Sequence, residues 1–431
     1  MVSSSADSIR HALWPATLRE RRPLGDCFEE GLSVDIAIIG GGFAGCSAAL
    51  AAAERGASVA LFEARTLGWG ASGRNGGQVI PGLKLDPSEM EAKYGKDAGY
   101  RLSEAVGAAA DVVFSLIDKH GIDCAPRRGG WIQAAHAQTA LARVHQRCDE
   151  WAARGAPVEK LDAAAVSRLL GTNAYVGGWI DRRAGTVHPL SYVFGLARAA
   201  QAAGAKLYED TPATSLVRDD DGWLILTARG PLSARTVIVA TDAYSGSLVP
   251  HLAQSMLLVQ SAQVVTDPLP ASLRERLVPN GICASETRRL AFYFRQSPDG
   301  RMMFGGRGAV GDNEQPAFTN ALVAAMHRMF PDTRSLAIAY RWSGQVGLTL
   351  DGIPHIHEAE PNLLIGLGYN GRGVAMASLM GRWLVGKALD AVEPPLPKTT
   401  LEPIAWHRLR GPAIALGVSW AWLRDRAGFA A

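Results

Sequence analysis

What this 431-residue sequence has least of narrows the possibilities first. Cysteine occurs five times, at Cys27, Cys46, Cys124, Cys148 and Cys283, an odd number with no pair at metal-ligand spacing. That argues against a disulfide framework and a cysteine-built metal site, and reads as reduced thiols in a cytoplasm. An excess of one charge is missing too. The 44 Lys and Arg stand against 41 Asp and Glu, a net +3 that is too balanced for nucleic acid as the main partner. No uninterrupted apolar run approaches the length of a membrane span, and the stretch around Ser3 to Ser5 is no signal peptide. Lysine is absent between Pro268 and Lys387. There is no internal repeat and no metal-binding pattern. With 48% hydrophobic and 20% charged residues, the chain reads as a soluble globular protein of two or three domains.

What is there begins at residues 34–63, VDIAIIGGGFAGCSAALAAAERGASVALFE. Residues 34–39 are a short β-branched, apolar run, as in a strand buried on both faces. Gly40, Gly42 and Gly45 then fit G-x-G-x-x-G. The first glycine allows the sharp turn, the second lets backbone approach a pyrophosphate, and the third lets the next helix lie against the strand. Phe43 and Ala44 open that helix, whose N-terminal amides face the phosphate site. Its alanines (Ala48, Ala49, Ala51, Ala52, Ala53) permit close packing, and Gly56 ends it. A second strand follows over 58–62. Glu63 stands at its tip, where a carboxylate accepts hydrogen bonds from an adenosine ribose, followed by Ala64 and Arg65. Strand, glycines, helix and acid in this order predict a dinucleotide site, and the motif does not choose between NAD and FAD.

Residues 64–82 are a glycine-rich loop without periodicity. Its centre, Gly68-Trp69-Gly70-Ala71-Ser72-Gly73-Arg74-Asn75-Gly76-Gly77-Gln78, resembles the corresponding segment of FAD-dependent oxidoreductases of the D-amino acid oxidase superfamily, in the gamma-glutamylputrescine oxidoreductase-like branch. The resemblance runs from about Val34 to Leu423. It implies that this loop passes along the pyrophosphate and beside the isoalloxazine ring. Glycines suit that role because a Cβ would clash with a flat ring and phosphates. It implies backbone contacts to the adenine end at Thr211-Pro212-Ala213. Ala240-Thr241-Asp242-Ala243-Tyr244 matches A-T-x-A-Y, with Asp242 where the family has Gly or Asn; a carboxylate near phosphates is unfavourable, so Asp242 is expected to turn outward. Asp351, in Thr349-x-Asp351-Gly352-x-Pro354, matches a segment beside the flavin. Gly368-Tyr369-Asn370-Gly371-Arg372-Gly373-Val374 is a second glycine-rich strand-to-helix turn. Its helix N-terminus suits the negative charge that develops on a reduced flavin.

The implied fold is α/β: a glutathione-reductase-like FAD domain (34–85, 187–250 and 336–392) interleaved with a smaller antiparallel-sheet substrate domain (86–186 and 251–335). Residues 1–33 read as an arm anchored by Trp14. Residues 393–431 read as a Pro-rich linker and an apolar helix with Leu416, Val418, Trp420, Trp422 and Leu423 among Arg408, Arg410, Arg424 and Arg426. That helix is expected to pack on the chain's own body rather than dip into a membrane. Alternation around residues 255–310, broken by Pro298-Asp299-Gly300, predicts the sheet that roofs the flavin. Tyr293, Arg295 and Arg301 are its candidates for substrate, with Tyr293 and Arg301 first. His136 and His145 read as solvated.

With no cysteine or histidine in the matched loops, FAD is expected to be held noncovalently. The implied reaction is oxidation of a C–N bond in a small amine or amino acid, hydride passing to flavin N5 and the imine then hydrolysing. Several oxidases of the superfamily carry a lysine near N5. Met302 and Met303 stand on the strand expected to hold it. A dehydrogenase serving a quinone or protein acceptor, or a flavin-binding partner protein without catalysis, are the alternatives.

Overall fold

The computed structural model describes residues 12–29, 31–220, 222–309 and 316–426. Strand Ser33–Ile39 is buried along its apolar length, because it lies inside a parallel sheet with both faces covered. Gly230–Val239 and Val59–Phe62 flank it, with Leu363–Leu367 and Lys206–Tyr208 further out, all parallel. His355–Glu360 closes one edge antiparallel, and the hairpin Ala213–Asp219 and Gly222–Thr227 extends from Gly230–Val239. Helix Phe43–Ala53 is buried on every side. It is alanine-rich because it is sandwiched between the sheet and helices Gly373–Asp390 and Pro189–Ala202. A Cβ on Gly381 would lie 2.3 Å from the Ala44 carbonyl oxygen, so glycine is required where two of these helices cross.

The second sheet runs Ile338–Leu348, Leu257–Pro268, Arg301–Ala309, Phe292–Gln296, Cys283–Glu286, Trp131–Ala135, Gly177–Asp181, Val158–Asp162. All its pairings are antiparallel except that between Cys283–Glu286 and Trp131–Ala135. Membership of Ile338–Leu348 corrects the expected start of the third cofactor-domain segment. Residues 338–348 pair antiparallel along Leu257–Pro268, and the chain returns to the first sheet only at His355–Glu360. Helices Pro87–Tyr94, Lys96–Gly107 and Ala109–His120 join the two sheets, and the last packs on Gly373–Asp390 and Pro189–Ala202.

The N-terminal arm is held as expected by Trp14. Its indole is fully buried between His188 and Trp342, and its Nε1 donates to the Asn75 carbonyl at 2.9 Å. The first eleven residues lie outside the described part. The C-terminal helix Arg410–Arg426 meets its expectation on one face only: Ala421 is buried, while Leu416 and Trp420 are exposed instead of packed on the body. Spacing of four puts Leu416 and Trp420 on one face of the helix, and Ile414 and Val418 share the opposite face with the buried Ala421, so only one of its two apolar stripes is covered. Among the described residues no helix is long and apolar enough to cross a membrane.

Candidate active site

The carboxyl-terminal edge of the parallel sheet opens into a cleft of about 1190 Å³ that continues under the second sheet. Such an edge is the usual ligand position in open α/β sheets. One end is built by the first glycine turn. Gly40 turns at φ +108, and Gly42 precedes helix Phe43–Ala53. A Cβ on Gly41 would meet Leu67 at 2.6 Å, one on Gly42 would meet Ser72 Oγ at 2.9 Å, and one on Gly45 would sit 1.9 Å from the Gly40 carbonyl. Gly45 therefore works behind the cleft, packing helix to strand, while Gly40, Gly42, Phe43 and Ala44 line it. Phe43 N–H donates to Ser72 Oγ at 2.9 Å. Glu63 accepts from the Gly41 and Arg65 amides, both at 2.8 Å. Burial pushes its carboxyl upward in pKa, and those two amides offset only part of the effect. Ala64, Arg65, Ala213, Ala240 and Thr241 complete this end.

The loop after Glu63 forms the floor. Gly70, Ala71, Ser72, Arg74, Asn75, Gly76 and Gln78 all line the cleft. Arg74 is buried, donates Nε to the Trp69 carbonyl at 2.9 Å, and stacks over the Trp69 ring. Its own carbonyl accepts from Gln263 Nε2 at 3.1 Å and Trp342 Nε1 at 2.8 Å, which ties the loop to the second sheet. Asn75 Oδ1 accepts from Gly77 N–H at 2.7 Å. Gly77 lies beneath the lining, where a Cβ would meet the Val187 carbonyl at 2.2 Å.

The second glycine turn closes the cleft from the opposite side. Asn370, at φ +52, accepts from Thr349 N–H through Oδ1 at 3.1 Å. Gly371, Arg372, Gly373 and Val374 line the cleft, and Gly373 starts helix Gly373–Asp390. Arg372 donates to the Pro81 carbonyl at 2.6 Å and stacks over Trp131, joining the turn to the second sheet. Tyr369 also lines the cleft. Its Oη is buried with no hydrogen-bond partner among the described residues. A buried orphan hydroxyl and a cradle that Cβ atoms would fill are what a bound dinucleotide would complete. Among the described residues the lining contains no cysteine or histidine.

Several expectations are corrected. Asp242 turns inward, not outward: its Oδ1 accepts from Gly368 N–H at 2.7 Å, which fixes the start of the second turn. Burial raises its pKa to about 6, partly offset by the Gly368 and Ala243 amides. Gly368, at φ +75, supports the turn without lining the cleft. Asp351 is outside the lining. Its carboxylate meets His355 Nε2 at 3.1 Å and Lys93 Nζ at 3.2 Å, so it is spent on a surface network. Burial opposes its ionisation, but those contacts and the Ile353 amide win and hold its pKa well below the usual range. Arg301 is likewise outside, paired with Asp299 at 2.6 Å and the Thr266 carbonyl at 3.2 Å. Arg295 is buried against Trp14 and the Val187 carbonyl. Met302 and Met303 are core residues. His136 and His145 are partly buried and bonded, to Thr287 Oγ1 and the Gly178 carbonyl, rather than solvated.

Tyr293 does line the cleft, and register explains its neighbours. One transverse row of the second sheet reads Gln263, Gly305, Tyr293, Ser285, Gln133, Trp179. Gln263, Tyr293, Ser285 and Gln133 face the cleft over the loop, with Gly305 leaving room for the Tyr293 ring. Tyr293 Oη lies 2.6 Å from Ser261 Oγ. Gln133 Oε1 accepts from Arg147 Nη1 at 2.9 Å and Trp179 Nε1 at 3.0 Å, which leaves its amide group to face the cleft. Beyond this row, Lys84, Arg143, Arg147, Arg288 and Arg289 line the far end. Carboxylates stand against them: Glu286 is held by Tyr175, Arg288 and the Phe292 amide, Asp86 pairs with Arg147, and Glu89 lies 3.7 Å from Arg143. Sequence reading missed these residues. The signals available were Arg143 and Arg147 at i, i+4 spacing and two polar residues, Ser261 and Gln263, alternating within an apolar strand.

Comparison with known proteins agrees with this geometry. The chain is 32% identical over 411 residues to gamma-glutamylputrescine oxidoreductase of Escherichia coli (strain K12), covering 94% of this chain and 95% of that one. It is 31% identical to a probable oxidoreductase, OrdL, of Rhizobium meliloti (strain 1021), covering 99% and 100%. The crystal structure of glycine oxidase from Geobacillus kaustophilus superposes with a TM-score of 0.69 at 22% identity, over 85% of this chain and 97% of that one, and so shares the fold. The pattern that describes FAD dependent oxidoreductases matches residues 35–386, and the chain belongs to that family.

Proposed function

We propose that this FAD-dependent oxidoreductase of amines or amino acids oxidises the C–N bond of a small amine that carries a carboxylate away from the reacting carbon, as gamma-glutamylputrescine does. The observation that carries the reading is the pairing of a polar row, Gln263, Tyr293, Ser285 and Gln133, with a cationic far end, Lys84, Arg143, Arg147, Arg288 and Arg289. Asp86, Glu89 and Glu286 pair with Arg147, Arg143 and Arg288, and the five cations outnumber these carboxylates; an excess of positive charge focuses potential in a cleft and draws in anionic substrate groups. It also disfavours an ammonium ion, so a bound amine is held in its neutral form, which C–N oxidation requires.

Gly40 to Ala44, Glu63, the 70–78 loop and the 370–374 turn would hold FAD, which when bound supplies the acceptor for the substrate's hydride. Tyr293 and Gln133 orient the amine, the arginines hold its distal carboxylate, and the second sheet excludes water. The imine product hydrolyses after release. The fixed positions of these groups, rather than a side-chain base, provide the catalysis.

Anaerobic addition of an amine panel to the holoprotein tests this. Gamma-glutamylputrescine should bleach the visible flavin band faster than putrescine, sarcosine or glycine. Readmitted air then separates an oxidase, whose band returns rapidly, from a dehydrogenase that needs a quinone or protein acceptor. A flavin that no amine reduces would overturn the reading in favour of a non-catalytic flavin-binding partner.

A further inference from the structure

We propose that helix Arg410–Arg426, with the turn before it, is a docking surface for an anionic lipid bilayer. One face of large apolar side chains stands in water: Leu409 is 63% exposed, Leu416 72% and Trp420 61%, with Trp406 at 40% in the turn. Large apolar groups left in solvent together mark an interaction surface. Charge identifies the occupant. Residues 404–431 hold four arginines (Arg408, Arg410, Arg424, Arg426) and one acid, Asp425, a net +3. The whole chain also carries +3, so residues 1–403 balance, with 40 basic against 40 acidic residues. The entire formal charge of the protein therefore sits on the segment that exposes Trp406, Leu409, Leu416 and Trp420. A second copy would bring +3 against +3 and repel it. An anionic leaflet complements both features, taking indoles and leucines at the headgroup level and arginines at the phosphates. Arg408 and Arg410 are exposed for this contact. The helix is 17 residues long and is not apolar enough to cross, so it lies in the plane of the surface.

The test is co-sedimentation of the full-length holoprotein with vesicles of phosphatidylcholine alone or mixed with phosphatidylglycerol. Binding should need phosphatidylglycerol and fall with added salt. The variant R408Q/R410Q should bind about 30-fold more weakly, at about fivefold per arginine. A chain ending at Pro403 should not bind, while keeping its flavin content and amine-dependent bleaching. Absence of binding to the anionic vesicles, or binding that survives the truncation, overturns the proposal. So does a mass near twice the monomer in solution that the truncation abolishes, since a second copy would then cover the helix.

Discussion

Asp242 supplies the most demanding prediction, because it is charged in the wrong sense for its place. Its carboxyl lines a cleft suited to phosphates, accepts Gly368 N–H at 2.7 Å, and faces the second turn that carries Tyr369. Burial lifts its pKa from 3.8 to about 6. At 1.36 kcal/mol per pH unit, the ionised form costs the folded apoprotein about 3 kcal/mol, trimmed by the part of the side chain that meets solvent in the cleft. Below about pH 4 the group is protonated in folded and unfolded chains alike and costs nothing. Between about pH 4 and pH 6 the folded state holds its proton more tightly, so stability falls as pH rises; above about pH 6 the full cost is present. Bound FAD, with its negative phosphates, sharpens the same preference. FAD affinity of the wild-type apoprotein, followed by flavin fluorescence, should therefore weaken as pH rises through about 6, by at most about tenfold per pH unit. Asp242→Asn keeps an acceptor for Gly368 and should flatten that slope. Asp242→Ala, uncharged like Asp242→Asn but without an acceptor, strands a buried N–H at a cost of about 1–3 kcal/mol and should melt below Asp242→Asn. Equal slopes for wild type and Asp242→Asn would refute the burial argument. Equal melting temperatures for Asp242→Ala and Asp242→Asn would refute the clamp.

Gly45→Ala places a methyl 1.9 Å from the Gly40 carbonyl, so the variant should carry no flavin and melt at a lower temperature, read by absorbance and calorimetry. Arg143→Gln and Arg289→Gln should each raise KM for a carboxylated amine about tenfold, the loss of one charge-assisted hydrogen bond, with kcat within about twofold. Steady-state kinetics check this, and unchanged KM in both would remove the assignment of the anionic end. Tyr293→Phe loses the contacts to Ser261 and the Ala262 carbonyl and should slow anaerobic flavin reduction about fivefold, for about 1 kcal/mol. Arg301→Gln, outside the cleft, should leave that rate unchanged.

The cofactor half of the cleft was legible in the sequence because it is built from backbone. Turns that must approach phosphates closely need glycine, and glycine at Gly40, Gly42 and Gly371 is visible without a fold. The supporting glycines, Gly45 and Gly77, are equally visible, but only the structure reveals that they pack behind the lining. Side-chain sites were less legible. Arg301 and Arg295 are strand arginines like many others, and whether one faces a cleft or an aspartate depends on pairing register. The row from Gln263 to Gln133 joins five strands drawn from separate parts of the chain, so no local pattern could assemble it. Asp242 was misread because repulsion from phosphates was weighed and the unsatisfied amide of Gly368, far away in sequence, was not. The C-terminal helix was half misread because apolar composition was taken as burial, although its spacing sets Leu416 and Trp420 opposite Ile414, Val418 and the buried Ala421.

The account rests on two separated glycine turns closing on one dinucleotide, and FAD titration of three apoproteins tests that most directly. Wild type should bind one FAD per chain and release it unmodified on heat denaturation. Gly42→Val and Gly371→Val, on opposite sides of the cleft, should each abolish binding while the chain stays folded by circular dichroism. Wild-type protein that remains colourless after incubation with FAD, or a Gly371→Val variant that binds it as tightly as wild type, would contradict the account.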